Sequence, residues 1–202
     1  MVKGYNRKTS PKVIGGLVQR KNNHTKTARI GYVVDRVPAG KGFVHVMKKK
    51  DIHDFTDIIP NWQNVCDGIE SIVLDQGDDY VDGLYRHYSY EGTGIIWLSA
   101  WSEQLWVDFS EEYFEEHKWH FDKLGINYNK NKKGDWSCHF TKSQAKAFML
   151  LHIFLHELGH HIDKMRSKNQ SIMRGGEEFA EKYANDMFEK VYPDYVVKFG
   201  KP

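Results

Sequence analysis

The sequence predicts an α+β fold on three observations: short strand signals fill the first two thirds, two long helical stretches close the chain, and the apolar content is that of a packed core. Its 202 residues are 40% hydrophobic and 14% aromatic with 28% charged, which excludes a disordered or collagen-like chain and suffices for one domain plus an extension. The longest apolar stretch, residues 147–155, is interrupted by His152 and falls well short of the roughly 20 residues a bilayer needs. Residues 1–10 carry charges without an apolar block, so no signal peptide is expected. Cys66 and Cys138 are too few for a disulfide framework and read as buried free thiols, which makes the cytoplasm the expected location.

A net charge of +2 conceals two opposite halves. Residues 1–50 hold 13 basic side chains and one acid, Asp35, whereas the rest of the chain holds 16 basic and 26 acidic ones. Within residues 1–29 there are eight basic side chains, no acid, and the breakers Gly4, Pro11, Gly15 and Gly16. This segment is predicted to be a basic flexible N-terminal arm ahead of a folded domain over 30–202. Such an arm can contact nucleic-acid phosphates or lie across the acidic remainder of its own chain.

Beyond the arm, residues 30–37 and 42–47 read as strands separated by Pro38, Ala39 and Gly40. Lys48, Lys49 and Lys50 read as a solvated turn, and residues 54–66 as an irregular helix interrupted by Pro60. Residues 70–74 form the next strand, and 83–90 with 93–101 form a hairpin around Glu91 and Gly92. Residues 110–124 place Tyr113, Phe114, His117 and Phe121 at helical spacing, with Glu111 and Glu112 in the first turn and Gly125 just past the end. A polar loop over 127–135 and a short strand over 136–140 follow.

Thr141 and Gln144 fit a capping box that launches a helix through about Met165, and inside it stands His156-Glu157-Leu158-Gly159-His160. Side chains four apart on a helix share a face, so His156 and His160 can converge on one metal ion. Glu157 lies at the edge of that face, where a general base could reach water held by the metal. Catalytic zinc takes three protein ligands, and the third is sought on a second helix over 177–191, ending ahead of Pro193. There Glu177, Ala180, Glu181 and Ala184 share one face, and the alanines permit close approach. Glu177 is the expected third ligand, Glu181 the acceptor for the free ring N–H of a ligand histidine, and Glu178 the reserve ligand. A ligand six residues after His160 is disfavoured because Arg166 stands there, and Asp163 reads as a polar residue on the helix face.

These residues, His156 to His160 followed by Glu177, Ala180 and Glu181, resemble the gluzincin branch of the zincin metallopeptidases, in particular the small single-domain minigluzincins. The resemblance covers about 30 residues, and the family often has Asp where this chain has Glu181. It implies a zincin-like domain with a small mixed or antiparallel sheet packed on the His-bearing helix, Zn²⁺ on His156, His160 and Glu177, and Glu157 activating zinc-bound water to hydrolyse peptide bonds. It also implies an extended peptide substrate along an edge strand, placed at residues 93–100. For the oxyanion donor, Tyr183, His152, His161 and the group Tyr85, Tyr88 and Tyr90 stay open. The alternative function is a non-catalytic zinc-binding protein acting in partner or nucleic-acid binding.

Overall fold

The computed structural model describes residues 31–77, 82–166 and 175–202, together with the backbone of residues 13–14 and 17–18. The expected arm over 1–29 therefore lies outside the described residues, apart from an antiparallel two-residue ladder between β1 (Val13–Ile14) and β2 (Leu17–Val18). Most of the loop between the two long helices lies outside them as well.

Strands β3 (Val33–Arg36) and β4 (Phe43–Val44) are shorter than the apolar runs that signal them. Lys48 to Lys50 do not form a turn: the Lys48 backbone N–H donates to Asp51 at 2.7 Å and opens helix α1 (Lys49–Thr56). Its lysines point outward while Ile52 and Phe55 enter the core. Pro60 follows, and the expected helix over 54–66 is instead the end of α1 and a single turn, α2 (Trp62–Val65).

Next come β5 (Ile69–Leu74), β6 (Gly83–Tyr88) and β7 (Thr93–Leu98), which join β3 in a sheet of order β3-β5-β7-β6. β3, β5 and β7 run parallel, and β6 is antiparallel to β7 as the hairpin signal requires. The expected edge at 93–100 is thus an interior strand, flanked on both sides, and the edge is β6. The reason lies in the side chains: Ile95 to Leu98 is a continuous apolar run, with Ile96 and Leu98 inaccessible on one face and Ile95 and Trp97 half-buried on the other. β6 instead alternates, with Leu84 and Arg86 exposed and Tyr85 buried, as an edge tolerates.

β8 (Trp101–Ser102) pairs with β4, and β9 (Trp106–Phe109) leads into α3 (Glu111–Leu124), closed by Gly125 as expected, with Ser110 outside the helix as its cap. Residues 127–135 are not simply a loop, because β10 (Asn127–Lys130) pairs with β11 (Trp136–His139), which in turn pairs with β9. β10 is polar and weak in strand propensity, so only pairing makes it a strand.

Thr141 and Gln144 form the capping box of α4 (Lys142–Phe148), which continues without a break through a π-helical turn (Met149–Phe154) into α5 (Leu155–Arg166). α6 (Gly176–Phe199) does not stop ahead of Pro193 but runs through it. Val191 and Tyr195 on either side are buried and Tyr195 stacks on Phe199, so core packing outweighs the missing backbone hydrogen bond. Cys66 and Cys138 are buried and free. Among the described residues no helix is long and apolar enough to cross a membrane.

Candidate metal centre

α5 presents His156 and His160 one turn apart, and α6 brings Glu177 against them. The His156 and His160 Nε2 atoms are 3.1 Å apart, and the Glu177 Oε2 atom lies 3.2 Å from the first and 3.3 Å from the second. Three donors bonded tetrahedrally to zinc at about 2.05 Å stand roughly 3.3 Å from one another, so this triangle is already the size of a zinc coordination face. Glu177 is otherwise in solvent, its side chain 83% exposed, and among the described residues its carboxylate meets the two imidazoles. Glu178 is exposed and takes no part in the cluster.

Glu181, one turn along α6, accepts from His156 Nδ1–H at 3.2 Å. That contact leaves the Nε2 lone pair of His156 directed to the Glu177 side, the tautomer a ligand histidine needs. Burial works against a proton on His156, but the Glu181 bond and the charges of Glu157, Glu181 and Glu177 outweigh it and raise the pKa above the ordinary value. On His160 burial prevails over Glu177 and the pKa falls.

Two close approaches hold these groups in place. At Gly159 a Cβ atom would stand 2.7 Å from the Ala180 Cα and 3.1 Å from its carbonyl oxygen, so the glycine inside the histidine motif lets α5 and α6 touch through backbone. At Gly83 a Cβ would meet Ile153 Cγ2 at 2.5 Å and Glu157 Oε1 at 3.0 Å, so the glycine at the start of β6 admits the Glu157 carboxylate to the sheet edge. Glu157 is only 7% exposed, and burial pushes its pKa up to about 7, with His156 and the Tyr85 backbone N–H opposing and Glu177 adding. The Tyr85 N–H turns to Glu157 and so fixes the carboxylate against β6.

The resulting pocket, about 350 Å³, is lined by Gly83, Leu84, Tyr85, His156, Glu157, His160 and Glu177. A larger cavity of about 700 Å³ begins at the neighbouring Asp82 and is walled by Phe43, Trp101, Trp106 and Phe109.

Several residues that position the site carry no signal in the linear pattern. Asp163 is not merely a polar residue on the helix face: its Oδ2 accepts from the backbone N–H groups of Gly175 and Gly176 at 3.0 and 3.2 Å, tying the start of α6 to α5. His161 donates from Nε2 to the Asp67 carbonyl at 2.9 Å and accepts the Tyr85 hydroxyl at Nδ1, 3.1 Å away, which locks β6 to α5. Burial lowers its pKa to about 4. Tyr85 also contacts His87 Nδ1 at 3.2 Å, so its hydroxyl is engaged away from the pocket. Of the other residues considered for an oxyanion donor, Tyr88, Tyr90, His152, His161 and Tyr183 are not among the lining residues.

His152 belongs to a second cluster, behind the first, with His120 of α3 and Glu181. The His120 and His152 ring centroids are 3.9 Å apart, and the His117 ring packs on His152 at 4.8 Å. Histidines at positions 152, 156 and 160 repeat every four residues, a spacing that could have drawn attention to His152. Comparison with known protein families, curated proteins and solved structures finds no match to this chain.

Proposed function

We propose that the chain is a zinc-dependent peptidase of the gluzincin type with a zincin-like domain, in which His156, His160 and Glu177 hold the metal. The observation that carries this reading is the triangle of donor atoms, with sides of 3.1, 3.2 and 3.3 Å, beside a buried carboxylate and a free sheet edge. Two imidazoles and one carboxylate are a donor set that zinc favours, and the side left open by these three faces the pocket. A divalent cation bound there supplies the Lewis acidity that makes water a nucleophile near neutral pH.

The chain's own residues do the rest. Glu157 takes up the proton that water loses and returns it to the leaving amine, and a carboxyl whose pKa burial has raised towards neutrality serves both transfers. Glu181 keeps His156 in the tautomer that presents Nε2. An extended peptide adds to the edge strand β6, its scissile carbonyl passing over Glu157. The aromatic cavity beyond Asp82 accommodates a bulky apolar substrate side chain.

Replacing Glu157 by Gln tests the reading. Zinc content measured by mass spectrometry should stay at the wild-type level while cleavage of a mixed peptide library falls by at least about 100-fold. Undiminished cleavage by the Gln variant, or wild-type protein without zinc affinity, would overturn it.

A further inference from the structure

We propose a second metal site, for a borderline divalent cation such as Zn²⁺, formed by His120, His152 and Glu181 in the protein interior. This goes beyond the peptidase reading and requires none of its ligands. His120 comes from α3, His152 from the π-helical turn and Glu181 from α6, and one ligand atom from each lies within 4.8 Å of the other two. Atoms at that separation sit at most about 2.8 Å from their common centre, so each needs to move inward by less than about 1 Å to reach zinc bonding distance.

The second observation is what these side chains lack. His120 and His152 are each 1% exposed, yet among the described residues Nδ1 of His152 has no hydrogen-bond partner and the nitrogens of His120 have none but the Asn185 side chain. The Asn185 amide beside them donates one N–H to Glu181 Oε1, at 3.1 Å, and its side chain also lies against His120. Buried polar groups are ordinarily paired, and two interior imidazoles short of partners beside one carboxylate describe a site that a cation completes. His117 donates from Nδ1 to the Tyr113 carbonyl at 2.8 Å, and its ring packs on His152. The π-helical turn that carries His152 is a rare conformation, frequent where a helix is adapted to a site.

The site is enclosed, with donors on three elements, and so has the character of a structural centre that clamps α3 and α6 to the histidine-bearing helix. Glu181 spans both centres, because the same carboxylate accepts the His156 Nδ1–H.

Titrating the metal-free full-length protein with Co²⁺ and Zn²⁺ tests the proposal, with stoichiometry, the tetrahedral cobalt absorption band and the melting temperature as readouts. Wild type should bind two equivalents. His160→Ala, which disables the pocket, should retain one that raises the melting temperature. His120→Phe, which keeps an aromatic ring among Trp119, Phe148 and Phe188, should retain only the pocket equivalent. A single wild-type equivalent, lost in His160→Ala and kept in His120→Phe, overturns the interior site and leaves the peptidase reading standing. A single equivalent with the reverse pattern overturns the pocket metal and supports the interior one. Should His120→Phe fail to fold, His160→Ala decides alone: one remaining equivalent supports the site and none refutes it.

Discussion

Replacing Gly159 by Ala tests whether backbone contact between α5 and α6 sets the metal triangle. In an ordinary helix interior the change would stabilise by about 1 kcal/mol, because alanine is the better helix former. Here the new Cβ would stand 2.7 Å from the Ala180 Cα, whereas ordinary van der Waals contact begins at 3.4 Å. The obstacle is backbone, not a flexible side-chain tip, so α6 must retreat by about 0.7 Å at Ala180, a single turn from Glu177. Metal sites tolerate only about 0.2 Å in bond length, so Glu177 should drop out of reach and zinc affinity should fall at least 10-fold. Overpacking costs about 1–3 kcal/mol, and after the helix-propensity gain the net loss is about 0–2 kcal/mol, or up to several degrees in melting temperature. Zinc competition against a chromophoric chelator is therefore the decisive assay, with melting of the metal-free protein as the second. Wild-type affinity together with an unchanged or higher melting temperature would refute the reasoning.

Asp163→Ala removes the acceptor for two backbone N–H groups at the head of α6 and should cost about 1–3 kcal/mol while weakening zinc binding, read by melting and by the same competition. An unaltered zinc affinity would show that Glu177 does not depend on this tie. Pro193→Ala restores a backbone donor in the C-terminal part of α6 at an exposed position and should raise stability by about 1–3 kcal/mol in denaturant titration; a loss would mean that the proline favours the helix there. His45 is buried with Nε2 donating to the Val37 carbonyl at 2.8 Å, and burial, with Arg36 adding to it, lowers its pKa below 6.5. The unfolded chain thus takes up this proton first as pH falls, so His45 adds stability above about 6.5 that is lost on acidification. His45→Gln should flatten the acid side of the plot of melting temperature against pH, and an unchanged slope would exclude the contribution.

The spacing of the histidines determined the central pair without any tertiary information, because four residues on a helix return a side chain to the same face. The capping residue Thr141 was legible for a related reason: it acts on backbone groups within its own first turn. Helix periodicity likewise put Glu177 and Glu181 on one face, although only the Gly159–Ala180 contact brings that face to His156 and His160. Other features were decided by partners far away in sequence. Which strand is the edge depends on whether β5 or solvent occupies the outer side of β7, and a hairpin pattern is silent about a third strand. β10 becomes a strand through pairing alone, and α6 survives Pro193 because Val191 and Tyr195 are anchored in the core. The bonds from Tyr85 to His161 and from Asp163 to Gly175, and the meeting of His120, His152 and Glu181, join side chains on separate elements. Local spacing determines what shares a face, whereas packing between elements decides what that face meets.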